Sequence, residues 1–372
     1  MTSGSGRPAP GPPADGAASE PPADGAAPES TTPIDEAAVT AWIAERVDVD
    51  PPLSFDLIPG GRSNMTFAVA DAAGRRLVLR RPPLGKLLAS AHDMAREHRL
   101  MAALADTPVP VPRMIGLCRD ESVNGRDFYV MDHVDGVVVR DVDIGAGVAP
   151  SVRRAMSESL VDTLCALHRV DIDAVGLGGL ARRSGYVERQ VKRWSGQWEQ
   201  SKTRELPVIE AVAKMLTERM PEPNPTTIAH GDYRLSNCIM TPAGQVAAVL
   251  DWELCTLGEP IADLGQLLGY WHDPADVGGA DITGDPETTS LDGFLTQDEM
   301  AQRYADRMGT DLEQVTYYRA FAQWRLACIG EGVYARYLAG QQGSQDEEID
   351  LEQMRDGVAR RASVAAELLG MT

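Results

Sequence analysis

Apolar residues are nearly absent from the first 33 positions and then recur with a regular period. Residues 1–33 are almost all Pro, Ala, Gly, Ser and acids. So little apolar bulk cannot offset the entropy of ordering a chain, and a disordered tail is expected. The segment PPADGAA occurs at 12–18 and again at 21–27, which reads as low complexity. From Ile34 the pattern becomes helical. Ile34, Ala38, Trp42 and Ile43 share one face, and Asp35 and Glu36 stand in the first turn, where acids favour a helix N-terminus. FDLIPGGRSNMTFAVADAAGRRLVLRR (55–81) reads as strand, Gly-rich turn, strand, turn, strand, with DAAG (71–74) suited to a hairpin. A helix is predicted over 90–107, stopped by Pro108, and an apolar strand over 127–136.

The second half is patterned differently. Val152, Met156, Leu160, Leu164 and Leu167 form one stripe of a helix over 151–171. A polar loop follows at 230–237, between two apolar runs. A short hairpin comes next: Cys238–Met240, the turn TPAG, and QVAAVLD ending at Asp251. Helical patterns dominate from Ile261, notably over 311–340 and 346–370. The expected class is α+β. A small antiparallel-sheet lobe with one helix (34–135) precedes a larger, mainly helical lobe (136–372).

Composition narrows the function more than the fold. At 372 residues with 43% hydrophobic and 24% charged, the chain has material for more than one compact core. Its net charge of −20 repels nucleic acid and anionic membrane surfaces. Neither is an expected partner. That charge is weakly consistent with a cationic substrate, and plain solubility accounts for it more simply. Cys118, Cys165, Cys238, Cys255 and Cys328 are far apart, without metal-ligand spacing. An odd cysteine count, no run of 18 apolar residues and no basic-then-apolar start lead to the expectation of a cytoplasmic protein.

The chemistry concentrates in TTIAHGDYRLSNCIM (226–240). Asp232 and Asn237 are five positions apart in one loop, and Asp251 follows Asn237 by 14 across a hairpin. Antiparallel pairing brings the outer ends of two strands together, so Asn237 and Asp251 can face one point. An amide oxygen and a carboxylate there make an oxygen-only site suited to Mg²⁺. Asp232 stands where it could orient a hydroxyl and take its proton. The same spacing occurs in phosphoryl-transfer loops.

HGDYRLSN (230–237), VLDWE (249–253) and GEPIADLG (258–265) together resemble the aminoglycoside phosphotransferase and choline kinase-like superfamily, whose members share the protein-kinase-like bilobal fold. The resemblance extends over about residues 36–370. Gly231 and Trp252 stand where protein kinases carry the Arg of His-Arg-Asp and the Phe of Asp-Phe-Gly, and no Ala-Pro-Glu segment is evident. A small-molecule hydroxyl substrate is therefore implied. So are ATP (or GTP) and Mg²⁺ as cofactors, with Asp232 as base and Asn237 and Asp251 as metal ligands. The turn GGRSNMT resembles the family's nucleotide loop through Gly60, Gly61, Ser63 and Asn64. Arg80 stands where the family usually has Lys, Glu97 is its matching acid, and Asp132 to Val134 match the adenine-binding hinge. VLRRPPLGKLLASAHDMAREHRL (78–100) more narrowly resembles the phosphotransferase domains associated with acyl-CoA dehydrogenases. That likeness implies a hydroxyacyl-CoA acceptor, against an aminoglycoside or amino-alcohol. The Arg at position 80 keeps a second reading open, a nucleotide-binding pseudokinase without transfer.

The remaining polar residues carry plainer expectations. His230 pins the loop, and Asp263 braces it through backbone amides. Arg234 either neutralises a phosphate or pairs with a nearby acid. Tyr317, Tyr318, Phe321 and Trp324 fall at helical spacing, as core or as a pocket wall. The stretch 273–293, without a period, reads as a lid or a disordered insertion.

Overall fold

The computed structural model describes residues 34–58, 64–82, 93–274, 286–340 and 350–371. The tail at 1–33 and the loop residues Gly60, Gly61 and Ser63 lie outside them.

Helix α1 (Glu36–Ala44) opens the small lobe. The Asp35 carboxylate accepts the Ala38 N–H at 3.0 Å, an N-cap. Its buried face is Val39, Trp42 and Ile43, so Val39 replaces the expected Ile34 and Ala38. Strands β1 (Ser54–Leu57), β2 (Met65–Ala70) and β3 (Arg76–Arg81) form the predicted meander, and the turn at Asp71–Gly74 closes it. Helix α2 (Met94–Leu104) starts at its cap Asp93 and is shorter than expected. Strand β4 (Met114–Cys118), short helix α3 (Glu121–Asn124) and β5 (Phe128–Asp132) complete the sheet, whose antiparallel order is β1-β2-β3-β5-β4. β4 was not foreseen. Its segment MIGLC is mostly half-buried and shows no alternation to betray it.

The two faces of this sheet serve different cores. Leu77 and Leu79 of β3 pack with Val39, Trp42, Ile43, Phe67 and Val130. Val78, one residue out of step, joins Met94, Leu100, Met101 and Tyr129 in the other core. The strand period of two thus aims Arg80 and Arg81 oppositely. Arg81 is buried against Phe67 and donates to Asn124 O at 3.3 Å.

The larger lobe contains α4 (Val142–Ala146), α5 (Pro150–His168), α6 (Tyr186–Ser201) and α7 (Pro207–Glu218). Strands β6 (Thr227–Ala229), β7 (Cys238–Met240), β8 (Val246–Val249) and β9 (Thr256–Gly258) follow, then α8 (Pro260–Tyr270) and α9 (Pro286–Thr289). Helices α10 (Gln297–Met308), α11 (Val315–Leu338) and α12 (Leu351–Leu368) end the chain. β7 pairs with β8, and β6 with β9, both antiparallel. α6 and α7 were not foreseen, although Val187, Val191, Trp194 and Trp198 are buried at i, i+4, i+7 and i+11. Tyr317, Tyr318, Phe321 and Trp324 of α11 are buried in the core, which settles their role as packing. Part of the period-free stretch is ordered as α9, while 275–285 lies outside the described residues. Among the described residues, no helix is long and apolar enough to cross a membrane.

The lobes are joined by backbone and side-chain bonds. Val249 N of β8 donates to Pro110 O of the small lobe at 2.9 Å. Arg96 of α2 donates to the carbonyls of Glu253 and Cys255. α2 therefore rests on the segment that follows Asp251.

Candidate active site

The polar loop leaves β6 and enters β7. Gly231 has φ +80°, and a Cβ there would meet Leu254 O at 2.7 Å, so only glycine fits this turn. Asp263, at the start of α8, accepts the His230 N–H at 2.7 Å and the Gly231 N–H at 2.9 Å. Burial works against its charge. Hydrogen bonding and the charges of His168 and His230, with the Gly231 amide, outweigh that and hold the carboxyl below its usual range. His230 is fully buried, with Nε2 3.0 Å from Leu250 O. Arg325 of α11 donates to Gly231 O at 2.9 Å and to Gln266 Oε1 at 3.1 Å. The bonds from Asp263 and from Arg325 to Gly231 O restrain the backbone of this turn.

That turn presents Asp232. Asn237 Nδ2 donates to Asp232 O and Oδ2, each at 2.9 Å. These bonds leave Asn237 Oδ1, the atom a metal would use, unengaged by them. The Tyr270 hydroxyl donates to Asp232 Oδ1 at 2.6 Å, and Arg234 Nε lies 3.4 Å from Oδ2. Arg234 thus pairs with an acid, its guanidinium 5.1 Å from the Tyr270 ring. Burial, and next the Asp232 charge, push the Tyr270 hydroxyl up, so it remains a donor at neutral pH.

Asp251 reaches the same region through register. Cys238 pairs with Val249, and Leu250 N donates to Asn237 O at 2.8 Å. The next residue, Asp251, turns back with φ +65°, the one non-glycine residue at positive φ among those described. Its Oδ1 accepts Arg80 Nη2 at 2.7 Å. Arg80 Nη1 lies 3.2 Å from Glu97 Oε2. Glu97 also accepts from Tyr129 at 2.9 Å and from Asn64 at 3.2 Å. One guanidinium fork therefore bridges two carboxylates from different lobes. Burial opposes the charge of Arg80, yet Tyr129, Glu97 and Asp251 raise its pKa far above the usual value. Burial dominates at Glu97 and leaves it raised in spite of Arg80.

Residues 54–314 match the sequence pattern of the APH phosphotransferase enzyme family. The chain belongs to this family. Mouse acyl-CoA dehydrogenase family member 10 is 38% identical over 286 residues, 76% of this chain but 26% of that protein. Human acyl-CoA dehydrogenase family member 11 is 34% identical over 290 residues, 77% of this chain and 36% of the relative. The chain thus spans about a quarter to a third of the length of the curated relatives it matches. A Ralstonia eutropha crystal structure, provisionally named an aminoglycoside phosphotransferase, superposes with TM-score 0.77 at 31% identity, covering 91% of this chain and 99% of its own. The fold is the bilobal, kinase-like one.

Several features of this site escaped the sequence. Tyr270 lies 38 positions from Asp232. Arg325 lies 94 from Gly231, and nothing local ties either to the loop. Glu253 is another. Its pKa is pushed up to about 7, first by burial and then by the charge of Asp251, with Glu97 and Asp232 adding to it. Asp132 is placed less simply than expected. Its carboxylate is held by Arg113 at 2.6 and 3.2 Å, and its N–H is taken by Arg113 O. Among the described residues, no three His, Cys, Asp or Glu side chains meet at metal-binding spacing. Mg²⁺ sites need no such cluster, since one or two protein oxygens combine with phosphate and water. Asn237 Oδ1 with the Asp251 carboxylate fits that description.

Proposed function

We propose that this chain transfers the γ-phosphoryl group of ATP to a hydroxyl of a small molecule, with Asp232 aligning the hydroxyl and accepting its proton. The observation that carries the reading is the Asn237–Asp232 bond at 2.9 Å beside Asp251, itself held by Arg80 at 2.7 Å. Two donors on Asp232, Asn237 and Tyr270, fix its orientation. That suits a loose transition state, in which positioning matters more than proton abstraction. Arg80 carries a permanent charge toward the donor phosphates, and Glu97 sets its direction. Asn64 lies against Glu97 and extends the nucleotide loop of Gly60, Gly61 and Ser63. With the Asp132 N–H engaged by Arg113, the hinge offers adenine the Asp132 carbonyl and the Val134 amide. Mg²⁺ on Asn237 and Asp251 would neutralise charge on the transferred phosphate.

The nucleotide reading draws on fold neighbours that share 13–14% identity, one holding AMP-PNP with hygromycin B and another GDP. ATP is the proposed donor and GTP the alternative. For the acceptor, the acyl-CoA dehydrogenase relatives at 34–38% identity favour a hydroxyacyl thioester over an aminoglycoside. Five free, buried cysteines suit a reducing, cytoplasmic setting.

The test is a coupled ADP-release assay with hydroxyacyl-CoAs, choline-like alcohols and aminoglycosides. Asp232→Asn should lower kcat by at least about a hundredfold, or roughly 3 kcal/mol of barrier, and leave the nucleotide Kd within twofold. Full turnover in that variant would remove Asp232 from the chemistry. The Arg80–Asp251 contact favours a second reading, a nucleotide sensor whose metal carboxylate is already engaged. Mg²⁺-dependent nucleotide binding with no transfer to any acceptor would support it.

A further inference from the structure

A small cleft opens beside the polar loop, between the end of α8 and α9. Its volume is about 40 Å³, room for one or two water-sized groups. Val139, Leu235 and Trp271, all buried, give it an apolar side. Thr288 of α9 lines it as well. Thr288 is 4% exposed, and its hydroxyl oxygen is buried without a hydrogen-bond partner among the described residues. The neighbouring Thr289 shows the usual outcome. Its hydroxyl accepts the His272 N–H at 2.8 Å and donates to His272 O at 3.3 Å. A helical threonine can also turn its hydroxyl back onto a backbone carbonyl, and Thr288 does not. Its methyl group faces α4, where a Cβ on Gly145 would stand 3.2 Å from it. A buried polar group without a partner is rare, because it forfeits the bonds it made to water.

The cleft adjoins Asp232. Tyr270 and Arg234 are two of its walls and also flank that carboxylate. The Tyr270 hydroxyl donates to Oδ1 at 2.6 Å, and Arg234 Nε lies 3.4 Å from Oδ2. We propose that the cleft receives the acyl carbonyl of the acceptor, the Thr288 hydroxyl donating to its oxygen while the acceptor's own hydroxyl meets Asp232. A hydroxyl donor suits a neutral carbonyl oxygen, which offers lone pairs and has no proton of its own to place. The apolar side takes the methylene groups that separate carbonyl from hydroxyl. An ammonium group fits poorly, because among the described residues no acidic side chain lines the cleft and Arg234 stands beside it. Thr288 thereby sets specificity between acceptors that carry the carbonyl and those that do not, and it touches no reacting atom. The placement rests on the phosphotransfer reading and on its hydroxyacyl acceptor, but the carbonyl subsite is testable by binding alone.

Two ligands that differ only at the carbonyl are titrated calorimetrically into the full chain saturated with MgADP. One is hydroxybutyryl-CoA. The other is its thioether, hydroxybutyl-CoA, which keeps the hydroxyl and the carrier. The wild type should bind the thioester about five- to tenfold more tightly, the worth of one neutral hydrogen bond in a buried site. Thr288→Val removes the hydroxyl at nearly constant shape and should abolish that preference, whereas Thr288→Ser should keep it. The melting temperature of the valine variant should be unchanged or raised, since the free protein loses no bond. A lowered value would reveal such a bond and overturn the argument. Free hydroxybutyrate, titrated in the same way, identifies the source of the oxygen. Weakening by Thr288→Val there too assigns the subsite to any acyl oxygen, and weakening confined to the thioester assigns it to the carrier-bound carbonyl. In turnover, the valine variant should raise KM for hydroxybutyryl-CoA by the same factor, with kcat within about threefold. A preference that survives in the valine variant, or is absent from the wild type, overturns the subsite. Binding that follows these expectations while no phosphate reaches any acceptor keeps the subsite and sinks the phosphotransfer reading instead. Turnover that is indifferent to Thr288→Val does the reverse.

Discussion

Replacing Arg80 by Ala tests the bridge between the lobes directly. Its side chain is 14% exposed, and Glu97, 3.2 Å away, is 2% exposed. Removing one partner of a buried pair costs about 3–5 kcal/mol, because the other charge is stranded. Two features reduce that here. Glu97 keeps its bonds from Tyr129 and Asn64. Its carboxyl, already raised by burial, loses the Arg80 charge that lowers it and takes up a proton more readily. Asp251, at 30% exposure, adds only a screened contribution of about 0.5–1 kcal/mol. The expected loss is about 2–4 kcal/mol at pH 8. Its pH dependence has a definite sign. A carboxyl with a raised folded pKa contributes stability that is fully present below its unfolded value and lost as pH rises. The variant's deficit should therefore shrink as pH falls from 8 toward 5. Arg80→Lys retains the charge but not the fork, so it should cost about 1 kcal/mol. Urea unfolding across this pH range, at fixed salt, measures all three quantities. An Arg80→Ala loss below about 0.5 kcal/mol, or one that is flat with pH, would refute the bridging pair.

Other expectations follow from single contacts. Gly231→Ala forces a Cβ to 2.7 Å from Leu254 O at φ +80°, and should cost about 2 kcal/mol or more with loss of transfer activity, read by thermal unfolding and turnover. Asp263→Ala strands the His230 and Gly231 amides in a buried turn, and calorimetry should show about 3 kcal/mol lost. Glu253 has a folded pKa near 7, so in metal-free buffer the wild type should lose stability as pH rises from 5 to 8. Glu253→Gln should flatten that slope, and an unchanged slope would assign it to other groups.

Much of the sheet and of the polar loop at 230–237 was legible in the sequence because both depend on local spacing. The strand period separates Val78 and Arg80 from Leu77 and Leu79. The five-residue step from Asp232 to Asn237 and the hairpin to Asp251 bring three polar groups together with few choices left to the chain. Glycine at 231 likewise announces a turn that no side chain could occupy. Less local features were harder to read. β4 is too short and too evenly half-buried to show a pattern, and α6 and α7 were passed over despite a regular apolar stripe.

The sequence by itself determined the bilobal class, through patterning along the whole chain and the family resemblance, and the oxygen-rich loop and the arginine at the third strand, which rest on residues within about twenty positions of one another. Tertiary structure alone decided that this arginine touches Asp251 as well as Glu97, the acid that the resemblance already matched to it. It also decided that Tyr270 caps Asp232, that Arg325 holds Gly231, and that Val139, Leu235 and Thr288 line one cleft. Such contacts join elements far apart in the chain. Their partners are selected by how helices and strands pack against one another, and hydrophobic periodicity records which face is buried but not against what.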